Sequence, residues 1–481
     1  MGARTGERFL RELAAQRRDV WIAGEQVTAD VTQHPAFRGI AGSLAGLYDL
    51  QWEAPPATYA SPSSGEPVGS SFLQPRTAAD LELRRNGMLR WARASCGMLG
   101  RSPDYLNSSV MALAAASGFF ATADPRFARN IEAYYEHCRE HDLCLTHTLI
   151  TPQSNRSVGP SAQADPYVAA RIVRETDNGV IIRGARMLAT LGPVSDEIMV
   201  FPSTVLKATA EDAPYSFAVA LPSDTPGLRY ICRETFDLGR SSFDHPFGSR
   251  FEEMDAVVVF DDVEVPWERV FLMGHPDHCN RVMAETGAVA HMAYQVVCKN
   301  VAKTEFFVGL CTLICDAIGI DGFQHVQEKV AEIILTLEAM KAFLRSSEAD
   351  AEVDQWGLLR PAWGPLNAAR NMYPRLYPRL AEIVQQLGAS GLMALPGEAD
   401  FAGPRRQDLD RYLQGRAATA QERVRLFRLA WDAAVSSFGS RQVLYERFFF
   451  GDPVRMAGAL FQSYDRASLA ERVKSFLARE D

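Results

Sequence analysis

The sequence has few cysteines, no strong excess of positive charge and no long apolar run. Eight cysteines are scattered through 481 residues without a CxxC pair, which predicts free thiols in a reducing compartment. Fifty basic residues against 59 acidic ones give a net charge of −9, so nucleic acid is not an expected partner. The longest nearly apolar stretch, residues 111–123, is too short to span a bilayer, and the first residues have no signal-peptide core. We therefore expect a cytoplasmic protein without a membrane partner.

The common nucleotide and hydrolase signatures are also missing. The sequence contains neither a GxGxxG nor a GxxxxGK[ST] loop, which argues against a Rossmann or P-loop enzyme. It also lacks the GxSxG elbow of α/β-hydrolases. A hydrophobic content of 47% nevertheless provides ample material for a large core.

The hydrophobic periodicity changes twice along the chain. Helical patterns dominate up to about residue 145, among them stretches at 78–99 and 125–141. Strand-like runs rich in Val, Ile, Phe and Tyr follow, including a hairpin that turns at Asp177–Gly179. Helical patterns return near residue 280 and cover 282–317, 323–350, 363–388, 408–446 and 456–478. The order predicts an α+β protein with an N-terminal helical domain (1–145), a central antiparallel β-barrel or sandwich (146–278) and a C-terminal helical bundle (279–481).

Two histidine-containing segments have the spacing of metal ligands. HCREH at 137–141 matches the HxxEH pattern of inverted zinc peptidases, but no third ligand is evident and a polar helix end explains it equally well. HPDHC at 275–279, with His291 and Cys298, lies at the predicted β-to-α junction, where polar linker residues are common. We therefore predict no metal site.

Two other segments carry residue types suited to binding an oxygen atom of a ligand. GRSPDY at 100–105 contains an arginine and a tyrosine at a helix boundary. LTHTLITPQSNR at 145–156 contains His147 at the predicted junction of two domains, where clefts form. Helix capping for the first segment and a structural histidine for the second remain open alternatives.

These segments resemble the large oxygenase component of the 4-hydroxyphenylacetate 3-monooxygenase family of two-component flavin enzymes. The resemblance extends over nearly the whole chain in the same order. The segments that carry it are GERFLRELAAQRRDVWIAGEQV, RETDNGVIIRGARMLAT, SSFDHPFGSRFEEMDAVVVFDDVEVPWERV and FGSRQVLYERFFFGDP.

The resemblance implies an acyl-CoA-dehydrogenase-like fold and ortho-hydroxylation of a 4-hydroxyphenyl substrate to a catechol through a flavin C4a-hydroperoxide. It also implies FAD, used as FADH2, together with O2, a separate NAD(P)H-dependent flavin reductase, and a homotetramer built as a dimer of dimers. The absence of a nicotinamide-binding motif agrees with reduction by a separate protein.

The same resemblance assigns site residues. It implies that Arg101, Tyr105 and His147 are catalytic and bind the phenol, with a weaker implication that Ser203 and Thr204 hold the substrate's carboxylate. The implied cofactor contacts are His147, Thr148, Leu149, Ile150, Gln153, Ser154, Asn155, Arg156, Thr190, Phe450, Gly451, Asp452 and Pro453.

The chemistry explains why these residue types suit the reaction. A free phenol, like tyrosine, has a pKa near 10 and is about 99.9% protonated at pH 7, whereas its anion is the better nucleophile. A permanently charged arginine stabilises that anion, Tyr105 orients the ring, and His147 either accepts the proton or hydrogen-bonds the peroxide. The sequence does not separate these two roles.

Two further functions compete with this interpretation. One is hydroxylation of a biosynthetic or carrier-tethered phenol such as a tyrosine derivative. The other is an acyl-CoA dehydrogenase or 4-hydroxybutyryl-CoA dehydratase activity, for which His291 and Cys298 resemble cluster ligands. Met98 and Ser102 stand where the dehydratase would need cysteines, so a cluster is not expected.

Overall fold

The computed structural model describes residues 2–202, 206–236 and 239–479. Its N-terminal part is mainly helical, with two short hairpins. The elements are α1 (Gly6–Ala15), β1 (Asp19–Ile22), β2 (Glu25–Gln26), α2 (Arg38–Leu50), β3 (Thr58–Ala60), β4 (Pro67–Gly69), α3 (Ala78–Ala94), α4 (Pro103–Ala115), α5 (Ser117–Ala121) and α6 (Pro125–His141).

The central part forms most of two sheets. Its elements are β5 (Leu145–Thr148), β6 (Arg171–Glu175), β7 (Gly179–Thr190), β8 (Glu197–Val200), β9 (Phe217–Pro222), β10 (Leu228–Cys232), α7 (Gly248–Phe251), β11 (Asp255–Pro266) and β12 (Val270–Met273). The larger sheet has the order β2-β1-β10-β11-β7-β6, and the smaller has the order β12-β9-β8-β5.

The C-terminal part is a helical bundle with one small hairpin. Its elements are α8 (Pro276–Glu285), α9 (Ala288–Ile318), α10 (Gln324–Ala349), β13 (Glu352–Val353), β14 (Leu359–Arg360), α11 (Trp363–Gly388), α12 (Glu398–Phe401), α13 (Arg406–Tyr412), α14 (Ala420–Ala434), α15 (Ser437–Phe448), α16 (Pro453–Ser463) and α17 (Ala467–Leu477). Within the described ranges, no helix is long and apolar enough to cross a bilayer.

The strand pairing is mixed, which corrects the expectation of a wholly antiparallel central domain. β1 runs parallel to β10, and β5 runs parallel to β8, while the other pairs are antiparallel. Among the described residues the strands form separate sheets and not one closed barrel. Because β1 and β2 belong to the larger sheet, the three-domain division at residues 145 and 278 stays a proposal.

Helix α4 is the element that sequence periodicity did not predict. Every residue from Pro103 to Ala114 is buried, including the polar Asp104, Asn107 and Ser108, so the helix has no solvent-exposed face of the kind that sequence periodicity detects. Pro103 occupies the first helical position, where its missing N–H is not needed. The helix packs against α9 in the interior and thereby fixes the backbone on which Arg101 and Tyr105 lie.

A buried ion pair attaches the N-terminal segment to the central sheets. The Arg4 guanidinium is fully buried and donates to Asp196 Oδ2 at 2.6 Å and to the Tyr48 hydroxyl at 3.1 Å. Burial alone would lower the pKa of Arg4, but the Asp196 carboxylate more than offsets it, so the pKa lies well above its usual value. Arg4 is therefore charged at every accessible pH.

Replacing Arg4 by Ala should destabilise the protein by about 3–5 kcal/mol, because the Asp196 carboxylate would stay buried without its cation. Equilibrium denaturation by urea measures this loss. Arg126→Ala is the control, since its pair with Asp124 is largely exposed and should contribute less than about 1 kcal/mol. Equal midpoints for the two variants would contradict the assigned role of Arg4.

Candidate active site

Arg101 and Tyr105 are placed by the start of α4. Arg101 lies two residues before Pro103, and Tyr105 lies in the first turn. The Arg101 backbone N–H donates to Glu253 Oε1 at 2.6 Å, which ties this turn to the residues just before β11. The backbone of Arg101 is thus held both by the start of α4 and by Glu253.

His147 is held by the strand β5. This strand pairs with β8, where His147 lies opposite Met199. The hydroxyls of its two neighbours, Thr146 and Thr148, donate to the carbonyls of Thr190 and Met187 in the other sheet. Because side chains alternate along a strand, His147 projects to the side opposite these two threonines.

The structure brings Arg101, Tyr105 and His147 together. The Arg101 Cζ atom lies 4.4 Å from the centroid of the Tyr105 ring, and the Tyr105 and His147 ring centroids are 5.9 Å apart. All three residues are at least nine-tenths buried, with 8%, 4% and 8% of their surfaces exposed. The cluster is therefore largely shielded from water.

The cluster retains polar atoms that the protein does not use. Four atoms in the cluster have no hydrogen-bond partner among the described residues: Arg101 Nη2, the Tyr105 hydroxyl and both His147 ring nitrogens. Each of them retains some accessible surface. Buried polar groups normally have partners. These groups can therefore bind the oxygens of a ligand.

The electrostatics of the cluster separate its two basic groups. Burial, with a smaller contribution from the Arg101 charge, holds the pKa of His147 well below its usual value, so the imidazole is neutral at pH 7. Burial would lower the pKa of Arg101, but interactions with Tyr445, Tyr105 and Glu253 outweigh it and raise that pKa. The site therefore combines a permanent cation with a neutral imidazole.

Two aromatic residues, Tyr445 of α15 and Phe449 directly after that helix, complete the surroundings of Arg101. Arg101 Nη1 donates to the Tyr445 hydroxyl at 2.9 Å, and its Cζ lies 5.3 Å from the Phe449 ring. Sequence reasoning did not assign either residue, although both lie in the FGSRQVLYERFFFGDP segment. Their signal was the spacing of Arg441, Tyr445 and Phe449, which places the three on one helical face.

A buried network of charges connects this helix with Thr190. Arg441 donates from Nε and Nη2 to Asp255 at 2.7 and 2.8 Å, and the Thr190 hydroxyl donates to the same carboxylate at 2.7 Å. Arg441 also reaches Glu253, the acceptor for the Arg101 backbone, at 3.3 Å. The interaction with Arg441 is the main cause that holds the pKa of Asp255 far below its usual value despite burial.

The remaining sequence-predicted cofactor contacts lie at different distances from this cluster. Phe450 packs on Phe449, its ring centroid 5.2 Å away, and its carbonyl accepts a hydrogen bond from Arg370. Gly451 has a positive φ, and Asp452 and Pro453 begin α16. Residues 149–150 continue from β5, whereas residues 153–156 form an exposed loop that makes no hydrogen bond, ion pair or ring contact with Arg101 among the described residues. Ser203 and Thr204 lie outside the described residues.

The two metal-like motifs are engaged in other contacts. His137 Nε2 lies 3.1 Å from Glu197 Oε1, and His278 Nε2 lies 3.0 Å from the Thr122 hydroxyl. In residues 2–202, 206–236 and 239–479, no group of three or more His, Cys, Asp or Glu side chains is placed to hold a metal ion.

Comparison with known proteins shows a match along the full chain. Residues 5–272 match the model described as 4-hydroxyphenylacetate 3-hydroxylase N terminal, and residues 279–478 match the corresponding C-terminal model. The chain is 52% identical over 479 residues to the 4-hydroxyphenylacetate 3-monooxygenase oxygenase component of Geobacillus sp. strain PA-9, covering 99% of this chain and 97% of the relative. The Thermus thermophilus protein of that name is 50% identical with the same coverage.

Solved structures give the same result and also define the fold. The structure of an oxygenase component in complex with FAD and 4-hydroxyphenylacetate superimposes with a TM-score of 0.94 at 50% identity, covering 99% of this chain and 98% of that chain. An archaeal 4-hydroxybutyryl-CoA dehydratase from N. maritimus (TM-score 0.89, 21% identity) and a glutaryl-CoA dehydrogenase (0.51, 12%) share only the fold, which is acyl-CoA-dehydrogenase-like.

A more distant relative acts on a tethered phenol. A monooxygenase of Streptomyces globisporus, named for a 3-chloro-4-hydroxyphenyl substrate attached to a peptidyl-carrier protein, is 32% identical over 458 residues, covering 93% of this chain and 85% of the relative.

The buried carboxyl group beside Tyr105 yields a test of the site's electrostatics. Burial raises the pKa of Asp104 to about 6, and its Oδ2 atom has no partner among the described residues. Ionisation therefore destabilises the folded protein as the pH rises from about 4, the unfolded value, to about 6. Asp104→Asn should be more stable than the parent by up to about 3 kcal/mol above pH 6, with the gain vanishing below pH 4. Urea denaturation between pH 4 and pH 8 measures this, and a pH-independent difference would contradict it.

Proposed function

This chain belongs to the 4-hydroxyphenylacetate 3-hydroxylase family, and from that premise we propose that it is a reduced-flavin-dependent monooxygenase that converts a 4-hydroxyphenyl compound to a catechol. The observation that supports this proposal most directly is the convergence of Arg101, Tyr105 and His147, each with unused polar atoms, in one buried cluster. The acyl-CoA dehydrogenase and dehydratase alternative rests on fold likeness alone.

Arg101 stabilises the phenolate form of the substrate. A charged guanidinium that lacks water favours an oxyanion within hydrogen-bond distance, which lowers the substrate's pKa and makes its ortho carbon electron-rich. The Tyr105 hydroxyl donates to the same oxygen and orients the ring. Their low exposure keeps water from competing for these bonds.

His147 acts as a neutral imidazole. Because its pKa lies well below its usual value, it is a proton acceptor or hydrogen-bond donor at neutral pH and not a second cation. A neutral imidazole adds no second positive charge beside the substrate oxyanion. His147 therefore either accepts the phenolic proton or donates a hydrogen bond to the oxygen that is transferred.

The cofactor is FAD, which related oxygenase components bind in solved structures, and we propose that it is supplied in its reduced form. When bound, it activates O2 and supplies an electrophilic oxygen. The residues around Thr190 suit it, because the Thr190 hydroxyl donates to Asp255 and its oxygen would be available to accept a hydrogen bond from an N–H of bound flavin. The backbone after His147 and the 450–453 turn are the other proposed contacts.

The proposed substrate is a small 4-hydroxyphenyl acid such as 4-hydroxyphenylacetate. A carrier-tethered phenol is the second candidate, on the grounds of the Streptomyces relative. Ser203 and Thr204 remain proposed carboxylate contacts. The partner is a separate flavin reductase, as the name "oxygenase component" implies for the relatives.

We also propose a homo-oligomer, arranged as a dimer of dimers. Helix α17 has no buried residue, yet Leu469, Val473, Phe476 and Leu477 form an exposed apolar stripe at helical spacing. On α16, only Met456 is buried, and Val454 and Phe461 are exposed. Large exposed apolar surfaces of this kind are typical of interfaces, here with a second copy of the chain.

Replacing Arg101 by Ala should lower hydroxylation by at least about 100-fold while oxygen consumption and H2O2 release continue, because the oxyanion would lose its charged partner. The assay supplies FADH2, O2 and 4-hydroxyphenylacetate and quantifies catechol against H2O2. Arg93→Ala is the control, since Arg93 pairs with Glu305 on the surface. If Arg101→Ala keeps its catechol yield, the role of Arg101 is wrong, and if the parent protein makes no catechol from a panel of phenols, the proposed reaction is wrong.

Replacing both Val473 and Phe476 by Asp should dissociate the oligomer, because charges on the apolar stripe would be buried in the interface. Light scattering coupled to size-exclusion chromatography gives the mass. Ser475→Asp on the polar face of the same helix should leave the mass unchanged. An unchanged mass in the double variant would exclude this stripe as the interface.

A further inference from the structure

Arg101 is a buried cation without a carboxylate paired to its side chain. Among the described residues, its guanidinium takes part in no ion pair, and Glu253 reaches only its backbone N–H. Three rings surround it, with centroids 4.4 Å (Tyr105), 5.3 Å (Phe449) and 5.5 Å (Tyr445) from Cζ. Aromatic faces attract a desolvated cation but do not neutralise it.

The orientation of this guanidinium depends on one hydrogen bond. Nη1 donates to the Tyr445 hydroxyl at 2.9 Å, and Nε is sealed without a partner, so Nη2 is the donor that stays available. Rotation about the side chain would exchange these donors. The Tyr445 hydroxyl is therefore what selects the donor that faces the ligand.

Tyr445 is itself rigidly held. Its ring stacks on Phe449, with centroids 4.7 Å apart and planes within 5°. A Cβ atom at residue 100 would lie 2.2 Å from the Tyr445 hydroxyl, so only glycine at that position allows the hydroxyl to reach Arg101. The absence of a side chain at Gly100 therefore makes room for the hydrogen bond between Tyr445 and Arg101.

The ionisation state of Tyr445 matters to Arg101. Burial raises the pKa of Tyr445 well above its usual value, although the Arg101 charge opposes the shift. The other charged groups facing its ring are Arg441 and Lys299, with Glu253 and Glu446 nearby. The hydroxyl is therefore neutral at working pH, and it orients Arg101 while leaving its full charge for the ligand.

We propose that Tyr445 is a positioning residue that aims the Arg101 guanidinium at the substrate oxygen and thereby sets how far the bound phenol ionises. The inference rests on the proposed function, since it acts through the role of Arg101 in binding a phenolate. A carboxylate at the same place would hold Arg101 as firmly but would cancel the charge that the substrate needs.

The test uses 4-nitrophenol, whose anion absorbs visible light, bound to the full-length protein without flavin. We expect the parent protein to lower the pH at which the bound probe is half ionised, relative to free probe. In Tyr445→Phe, which retains the stacked ring and removes only the hydroxyl, this midpoint should rise by about one pH unit, the shift expected when a hydrogen bond that orients a charged group is lost. The ratio of catechol to H2O2 in turnover with 4-hydroxyphenylacetate should fall about tenfold.

Two further variants make the result decisive. Gly100→Ala displaces the Tyr445 hydroxyl from the other side and should shift the midpoint in the same direction. Tyr135→Phe also removes one buried hydroxyl, which donates to Phe72 O at 2.7 Å, and should change neither readout.

The outcomes distinguish this inference from the function on which it rests. If the parent protein lowers the probe's midpoint and Tyr445→Phe lowers it equally, Tyr445 does not position Arg101 and the inference is wrong. If the parent protein does not lower the midpoint, the role of Arg101 fails and the inference falls with it. A shift of the same size in Tyr135→Phe would show a general loss of packing and would also overturn the inference.

Discussion

The site depends on keeping one guanidinium charged, buried and unneutralised. Burying a cation is costly unless something compensates for the lost water. Here the compensation comes from three aromatic faces, one neutral hydroxyl and the charge of Glu253, whose hydrogen bond goes to the Arg101 backbone and not to the guanidinium. These surroundings allow the charged Arg101 to be buried in the folded protein without an ion-pair partner. Its charge therefore remains available to a bound phenolate.

The carboxylates that might have paired with Arg101 are occupied by another arginine. Arg441 bonds to both Asp255 and Glu253, and Asp255 also accepts from Thr190. This arrangement joins the end of β7, the start of β11 and the helix α15 in one buried network. It fixes Thr190, the proposed flavin contact, relative to Arg101, the proposed substrate contact. The cofactor and the substrate are thereby positioned by the same network.

Much of the fold was predictable because most of its elements are amphipathic or strand-like. The helix predicted at 125–141 and the bundle helix at 363–388 have the predicted bounds, and the hairpin at Asp177–Gly179 is present between β6 and β7. Helix α4 was missed because it is buried on all sides, and the parallel pairing of β1 with β10 was missed because partners so far apart in sequence leave no local signal. Single long helical stretches, such as 408–446, proved to be three helices.

The site residues also divide into those that the sequence indicated and those that depend on long-range contacts. Arg101, Tyr105 and His147 came from a resemblance, and the structure brings them together. Tyr445 and Glu253 lay in quoted segments but could not be assigned, because their role depends on contacts across 344 and 152 positions of the chain. Spacing within α15 indicated a shared face but not what that face would meet.

These long separations also bear on when the protein becomes reactive. The arginine comes from the first quarter of the chain, and the hydroxyl that aims it lies on a helix close to the end. When a ribosome has made only the first two-thirds of the polypeptide, Arg101 is present but Tyr445, the residue proposed to orient it, is not. The substrate-binding cluster is therefore assembled only when synthesis of the chain is nearly finished.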